Sequence, residues 1–279
     1  MIRATVHSIN CRIVVLMDFK LSNALAITLA SLIAVVATTT VIARASRTIG
    51  KEKEGRGDDK NKAGSEEIAE RVMMRRIPRL DASKTVLLVC DVQERFRSLI
   101  YKSESLSGRT ALVAKACRVL KIPVVVTEQV PRVFGSTVPD LQCTHGAHDT
   151  VIFDKKKFSM MVPEVDKHWR HAPSMQGRTQ VLLCGIEAHV CVLQTALDVL
   201  QLRPDADVFV VCDAVSSQRP HDRATAIERL AAAGATMTSA ESCLFDLLRS
   251  AEHPDFKAVS SLIKEANALD NEFGGQTTL

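Results

Sequence analysis

From residue 85 onward, apolar β-branched runs recur along the chain, each ending near a polar residue and most followed by a stretch of helical periodicity; this alternation leaves few folds open. The runs are TVLLVCDV (85–92), PVVVTEQ (123–129), VIFDK (151–155), VLLC (181–184), DVFVVCDAV (207–215) and a weaker ATMTSAES (235–242). Between them, Leu106, Leu112, Val113, Ala116, Val119 and Leu120 mark one helix face, and 188–202 and 219–233 carry the same period. Pro163 to Trp169 permits a further helix, and 245–249 and 256–265 close the pattern with two more. Strands alternating with helices imply right-handed crossovers, so the sequence predicts an α/β fold: a three-layer α/β/α domain over residues 80–266 with a mainly parallel sheet. One Trp, one Tyr and nine Phe in a chain that is 46% hydrophobic agree with an aliphatic core. The loop VPRVFGSTVPD (130–140), with two prolines and a glycine, is expected to hold no regular structure.

The segment before the domain has a different character. Residues 1–20 form a leader, 21–43 contain no charged side chain over 23 positions, 44–79 are a charged spacer expected to be flexible, and 267–279 are a tail. At about 1.5 Å per residue the uncharged run is long enough to cross a bilayer. A membrane anchor and a targeting leader, mitochondrial or cleaved, are the two main readings; a buried helix is the third. Arg44, Arg47, Lys51, Lys53 and Arg56 follow the run, which under the anchor reading places the domain in the cytosol. A start at Met73 or Met74 would give the soluble domain alone.

Charge narrows the partners. The formal net charge is +4, but residues 1–80 hold 14 basic and 8 acidic side chains, leaving 22 and 24 in residues 81–279, a balance of −2. The body therefore lacks the footprint that phosphate-backbone binding needs, and a small-molecule substrate is expected instead of nucleic acid. Eight cysteines show no CxxC pair, and Cys90, Cys184 and Cys212 sit inside apolar runs, where they read as small hydrophobes of a reduced protein.

Ligands of parallel sheets bind beyond the carboxyl ends of the strands, and three chemically capable residues stand there: Asp91, Lys155 and Cys191. Cys191 lies in the first turn of the 188–202 helix, where unpaired N–H groups and the positive end of the helix dipole favour a thiolate. A carboxylate can take the thiol proton and return it to a leaving group, while an ammonium holds the carboxylate. Against this, an Asp at a strand end often caps a helix, a Lys within Lys155–Lys157 is usually solvated, and a helical Cys is usually core.

At DVQERF (91–96), KKKFSM (155–160) and GIEAHVC (185–191) the sequence resembles the isochorismatase-like cysteine hydrolases, over about residues 80–266. TEQVPRVFGSTVPDL and HPDFKAVSSLIKE resemble the isochorismatase domain-containing branch. The resemblance implies a general base at Asp91, a catalytic lysine at Lys155 and a nucleophile at Cys191, hydrolysing a small amide or related acyl compound. It further implies a cis peptide at Ile186–Glu187, an oxyanion hole from the N–H groups of Glu187 and Cys191, pocket positions at Gln129 and Phe158, and a homo-oligomer. Nicotinamidases of this family bind a metal through an Asp-x-His pair where this chain has Thr127-Glu128-Gln129, so neither metal nor other cofactor is expected. His145 and His148 form an HxxH pair without further ligands, read as solvated. Arg219, His221 and Asp222 are candidates for a subunit contact. Two competing functions remain: a non-enzymatic binding or scaffold protein on the same fold, and a ribonuclease-type relative.

Overall fold

The computed structural model describes residues 78–142 and 150–268. The leader, the uncharged run, nearly all of the spacer and most of the tail lie outside these residues, as do His145 and His148. No helix among the described residues is long and apolar enough to cross a membrane.

The strands are β1 (Thr85–Cys90), β2 (Val124–Gln129), β3 (Thr150–Lys155), β4 (Gln180–Ile186), β5 (Asp207–Ser216) and β6 (Thr236–Thr238). They form one sheet in the order β3-β2-β1-β4-β5-β6, parallel at every pairing. The helices are α1 (Ser103–Val119), α2 (Pro131–Phe134), α3 (Pro139–Gln142), α4 (Pro163–His171), α5 (Leu193–Leu202), α6 (Pro220–Ala232), α7 (Ala240–Leu248) and α8 (Phe256–Ala268). The three-layer α/β/α architecture expected from the alternating pattern is the one observed.

Strand alternation builds two cores. In β1, Leu87 and Val89 join Leu182, Cys184 and Phe209 in the core with buried residues of α1, α7 and α8. Val86, Leu88 and Cys90 point the other way, into a core with Leu183, Val210 and, from α4, α5 and α6, Trp169, Val199 and Leu230. Every residue of β1 is buried, which is why the strand reads as an unbroken apolar run. Each such Leu or Val contributes about 1.5–3 kcal/mol over its exposed state.

Two local expectations change. The loop at 130–140 contains two single-turn helices because Pro131 and Pro139 stand at first helical positions, where a missing N–H costs nothing and the fixed φ helps. The weak strand 235–242 shortens to β6 because Ser239 is an N-cap, its Oγ accepting from Ser242 N–H at 3.3 Å, and starts α7.

The chain leaves β1 for β2 and β3 on one side and returns to β4 on the other. That reversal opens a crevice beyond the carboxyl ends of β1 and β4.

Candidate active site

Three strands that end near the crevice are each followed by a residue in the left-handed region: Asp91 at φ 55, Val130 at φ 38 and Glu187 at φ 55. This conformation is tolerable for Asp and costly for a β-branched residue such as Val130. Val130 is held there by hydrogen bonds, its N–H donating to Lys155 O at 2.9 Å and its carbonyl accepting from Val133 and Phe134. At Asp91 the turn has a chemical consequence. Continued alternation would send this residue to the face opposite Cys90; instead its Oδ2 lies 3.5 Å from the Cys90 thiol, which donates to it.

Asp91 is 1% exposed and fully engaged. Its Oδ1 accepts the Thr127 hydroxyl at 2.8 Å, and its Oδ2 accepts Lys155 Nζ at 2.6 Å. Lys155, the last residue of β3, also donates to Gln129 Oε1 at 2.7 Å, Phe158 O at 2.8 Å and Lys157 O at 3.1 Å. Four acceptors surround an ammonium with three hydrogens, so this lysine is desolvated but well compensated. The polar frame extends outward. Gln129 Nε2 donates to Lys156 O at 2.9 Å, and Gln93 brackets the end of β2 by accepting Gln129 N–H at 2.7 Å and donating to Gln129 O at 3.1 Å. Glu128 Oε1 accepts the Thr137 N–H at 2.7 Å and hydroxyl at 2.8 Å, which pins the α2–α3 loop over the strand ends. Among the described residues, no group of three His, Cys, Asp or Glu side chains has metal-binding geometry.

Cys191 is 7% exposed, inside a single π-helical turn (Ala188–Val192) that leads into α5. Thr195 fixes it to the β3 side of the crevice: its hydroxyl donates to Cys191 O at 2.7 Å and accepts Met160 N–H at 2.9 Å. Cys191 and Cys90 are buried in the same core. Burial pushes Cys90 well above the ordinary thiol value, and Cys191 and the charge of Asp91 add to the rise. Burial also raises Cys117, to about 12, and Cys184, Cys243 and Cys212.

The expected cis bond is not observed. Among the described residues every peptide is trans, and Glu187, at φ 55 and ψ 63, makes the turn. A left-handed residue achieves the reversal at about 1–2 kcal/mol, below the cost of a non-proline cis peptide. Ile186 is buried at 3% exposure. The Glu187 carboxylate accepts from Gln218 Nε2 at 2.8 Å through Oε1, while its buried Oε2 has no hydrogen-bond donor among the described residues. That oxygen lies 3.4 Å from His189 Nδ1, which faces Ser217 Oγ at 3.0 Å. Asp222 stands beyond, 3.9 Å from His189 Nε2, 3.1 Å from His221 and 3.8 Å from Arg219.

The structure thus brings Asp91, Lys155 and Gln129 into one bonded group, while Cys191 follows β4, the strand paired with β1, and is buried in the same core as Cys90. Phe158 enters through its carbonyl, its residue remaining 51% exposed. Sequence reasoning passed over Gln93 as part of the polar frame, while its reading of Cys90 as a small hydrophobe agrees with that residue's complete burial.

A parallel three-layer domain with an acid, a cation and a thiol at its switch point defines the class: an α/β protein whose site is built from strand ends. An isochorismatase-domain family model matches residues 85–242. The secreted isochorismatase effector Isc1 of Phytophthora sojae is 46% identical over 200 residues, 71% of this chain and 93% of that protein. Isochorismatase domain-containing protein 2 of Xenopus laevis is 40% identical over 192 residues, 69% of this chain and 89% of that one. Among solved structures, the MAR1 ribonuclease from Caenorhabditis elegans aligns with a TM-score of 0.62 at 40% identity, over 67% of this chain and 93% of the other. The chain belongs to the isochorismatase family, and its domain has that family's hydrolase fold.

Proposed function

We propose that the protein is a cysteine hydrolase of a small amide or related acyl compound. The observation that carries this reading is the buried Lys155–Asp91 pair, 2.6 Å apart at the ends of β3 and β1, with Cys191 in the turn that follows β4, the strand paired with β1. In the first half-reaction Cys191 gives its proton to the Asp91 carboxylate, and its sulfur attacks the carbonyl carbon. The oxyanion that forms is held by the N–H groups of Glu187 and Cys191. Its collapse expels the amine, which leaves with the proton from Asp91, and a thioester remains on Cys191. In the second, water gives a proton to Asp91 and attacks the thioester; the acid departs and the proton returns to sulfur. Lys155 keeps Asp91 in place throughout, while Gln129 and Phe158 line the substrate side.

The test is an amide panel read by amine release, with the acyl-enzyme trapped for mass spectrometry. Cys191→Ala is expected to abolish both signals, and Asp91→Asn to lower kcat/KM by about 10²–10⁴. Turnover of a panel member that survives Cys191→Ala would remove the mechanism.

A second reading comes from the printed name of the 40%-identical C. elegans structure, a ribonuclease. It asks this site to hold a phosphodiester. Lys155, the cation beside Asp91, already donates to a carboxylate, an amide and two carbonyls. The amide reading is preferred on that ground.

A further inference from the structure

We propose that His189 is a positioning residue of the reaction: as an imidazolium it ties the Glu187 carboxylate to the start of α6, and so holds the turn whose N–H groups receive the oxyanion. The inference rests on the cysteine-hydrolase reading and deepens it with a residue that acts through Glu187.

The turn needs an outside hold. Glu187 stands at φ 55, a conformation that residues bearing a side chain seldom keep without support. Its carbonyl is fastened from the helix side, accepting Val190 N–H at 2.9 Å and Val192 N–H at 3.3 Å. Its carboxylate is fastened from the loop between β5 and α6, where Gln218 Nε2 donates to Oε1 at 2.8 Å. The other oxygen, Oε2, is buried without a hydrogen-bond donor among the described residues. A buried carboxylate oxygen left so is costly unless a positive charge stands close. The ion-pair partner of Glu187 among the described residues is the His189 ring, its Nδ1 3.4 Å from that oxygen.

His189 lies between two carboxylates that belong to different elements. Nδ1 faces Glu187 Oε2 and, at 3.0 Å, Ser217 Oγ, while Nε2 lies 3.9 Å from Asp222 Oδ2 on α6. A neutral imidazole has a single N–H and leaves one carboxylate facing a lone pair, whereas an imidazolium presents an N–H to each side. The other charged groups of this corner belong to α6 and its cap. His221 Nε2 at 3.1 Å and Arg219 Nη1 at 3.8 Å turn to Asp222, and Arg223 donates to the carbonyls of Val215 and Cys212. With its side chain 34% exposed, His189 exchanges protons with solvent without the site opening.

Imidazoles change charge between about pH 5 and 8, so the clamp is closed on the acid side of that range and released on the alkaline side. Release leaves Glu187 Oε2 without its cation and the turn without its tie to α6. Thiolate formation at Cys191 runs the other way with pH, and two probes separate the effects.

The experiment compares acetylation of Cys191 by p-nitrophenyl acetate with its alkylation by iodoacetamide in the full-length chain, both followed on the Cys191 peptide by mass spectrometry. Both reactions need the thiolate, but only acetylation passes through an oxyanion, so their rate ratio reports the turn. Loss of one oxyanion donor costs about 10²–10³ in rate, and for a loosened donor the wild-type ratio is expected to fall about tenfold between about pH 5.5 and pH 8. His189→Ala, without a cation at either pH, is expected to be about tenfold low at the acid end and to show no fall. His189→Lys, charged at both, is expected to keep the ratio within about threefold of the acid wild-type value throughout. Should His189→Ala not fold, His189→Asn takes its place as the uncharged variant. A fall that persists in the uncharged variant overturns the clamp, as does a Lys variant that follows the uncharged one. Equal slowing of both probes in the uncharged variant marks a role in packing alone and also overturns it. Wild-type Cys191 acetylated no faster than a free thiol defeats the hydrolase reading and the clamp together. Fast acetylation with a ratio that does not change with pH defeats the clamp alone.

Discussion

Lys155 and Asp91 are 0% and 2% exposed at their side chains, and an ion pair so deeply buried is not in itself a gain. Removing both charges from water costs several kcal/mol each, and the attraction offsets this only when the leftover hydrogen-bonding groups also find partners. Here they do, through Thr127, Gln129 and two carbonyls. The pair is therefore expected to be tolerated when whole and damaging when split. Lys155→Met should destabilise the protein by about 3–5 kcal/mol in denaturant titration, because Asp91 is left charged and buried. Asp91→Asn combined with Lys155→Met should recover part of that loss. A Lys155→Met variant as stable as the wild type would mean that the pair is open to water. Asp91, Lys155 and Cys191 were legible because each ends or follows a strand, and the resemblance added their roles. Gln93 was not legible: its bonds to Gln129 join segments 36 residues apart and leave no periodic mark in the sequence. The turn at Ile186–Glu187 was misjudged for a related reason, since a trans bond with a left-handed Glu187 gives the same reversal.

At the scale of elements, α4 shows how a polar helix is fixed over the sheet. Val165 and Trp169 are its buried residues, one turn apart on one face. Arg203, at the end of α5, lies over the Trp169 ring at 4.4 Å and reaches Asp166 at 2.9 Å, while Arg170 reaches the same carboxylate at 2.8 Å. The hydrogen bond from Arg170 is the main cause that holds Asp166 below its ordinary value of 3.8, with the charges of Arg170 and Arg203 adding to it. A carboxyl whose folded value is depressed contributes stability above its unfolded value, and loses it as pH falls through the folded one. Asp166→Asn is therefore expected to lower Tm at neutral pH and to match the wild type in acid below the depressed value. The carboxylate is 35% exposed, so solvent screening keeps the difference to about 2 °C or less. Equal Tm values at neutral pH would show that the aromatic and apolar contacts alone hold α4. The main strands and long helices were visible in the sequence because burial fixes their periods. Proline was read as a terminator at 131 and 139, yet it occupies the first turn of four helices, at 131, 139, 163 and 220; whether a proline ends or begins structure depends on which side carries the partners.

Across the whole molecule, the nuclease alternative can be decided by charge. Protein cations displace counterions from a nucleic acid, so affinity falls with salt in proportion to the phosphates neutralised. Residues 81–279 carry 22 basic against 24 acidic side chains. Several of those cations already face carboxylates: Arg97 with Glu104 and Asp140, Arg249 with Asp246, Lys157 with Asp198, and Arg170 and Arg203 with Asp166. Residues 1–80 hold 14 basic and 8 acidic side chains, so a basic excess belongs to the segment preceding the site. Titrating a labelled single-stranded RNA against the full chain and against a chain starting at Met74 separates the two sources. The full chain is expected to bind only at low salt, with a slope of log K against log salt no steeper than about −4 if the net excess of the first 80 residues acts alone. The shorter chain is expected not to bind at about 0.15 M salt. Because its crevice carries a thiol, a carboxylate and an ammonium already bound to that carboxylate, it should also leave the RNA intact. Cleavage by the shorter chain that disappears with Cys191→Ala would reverse the assignment, since the same thiol would then act on a phosphodiester.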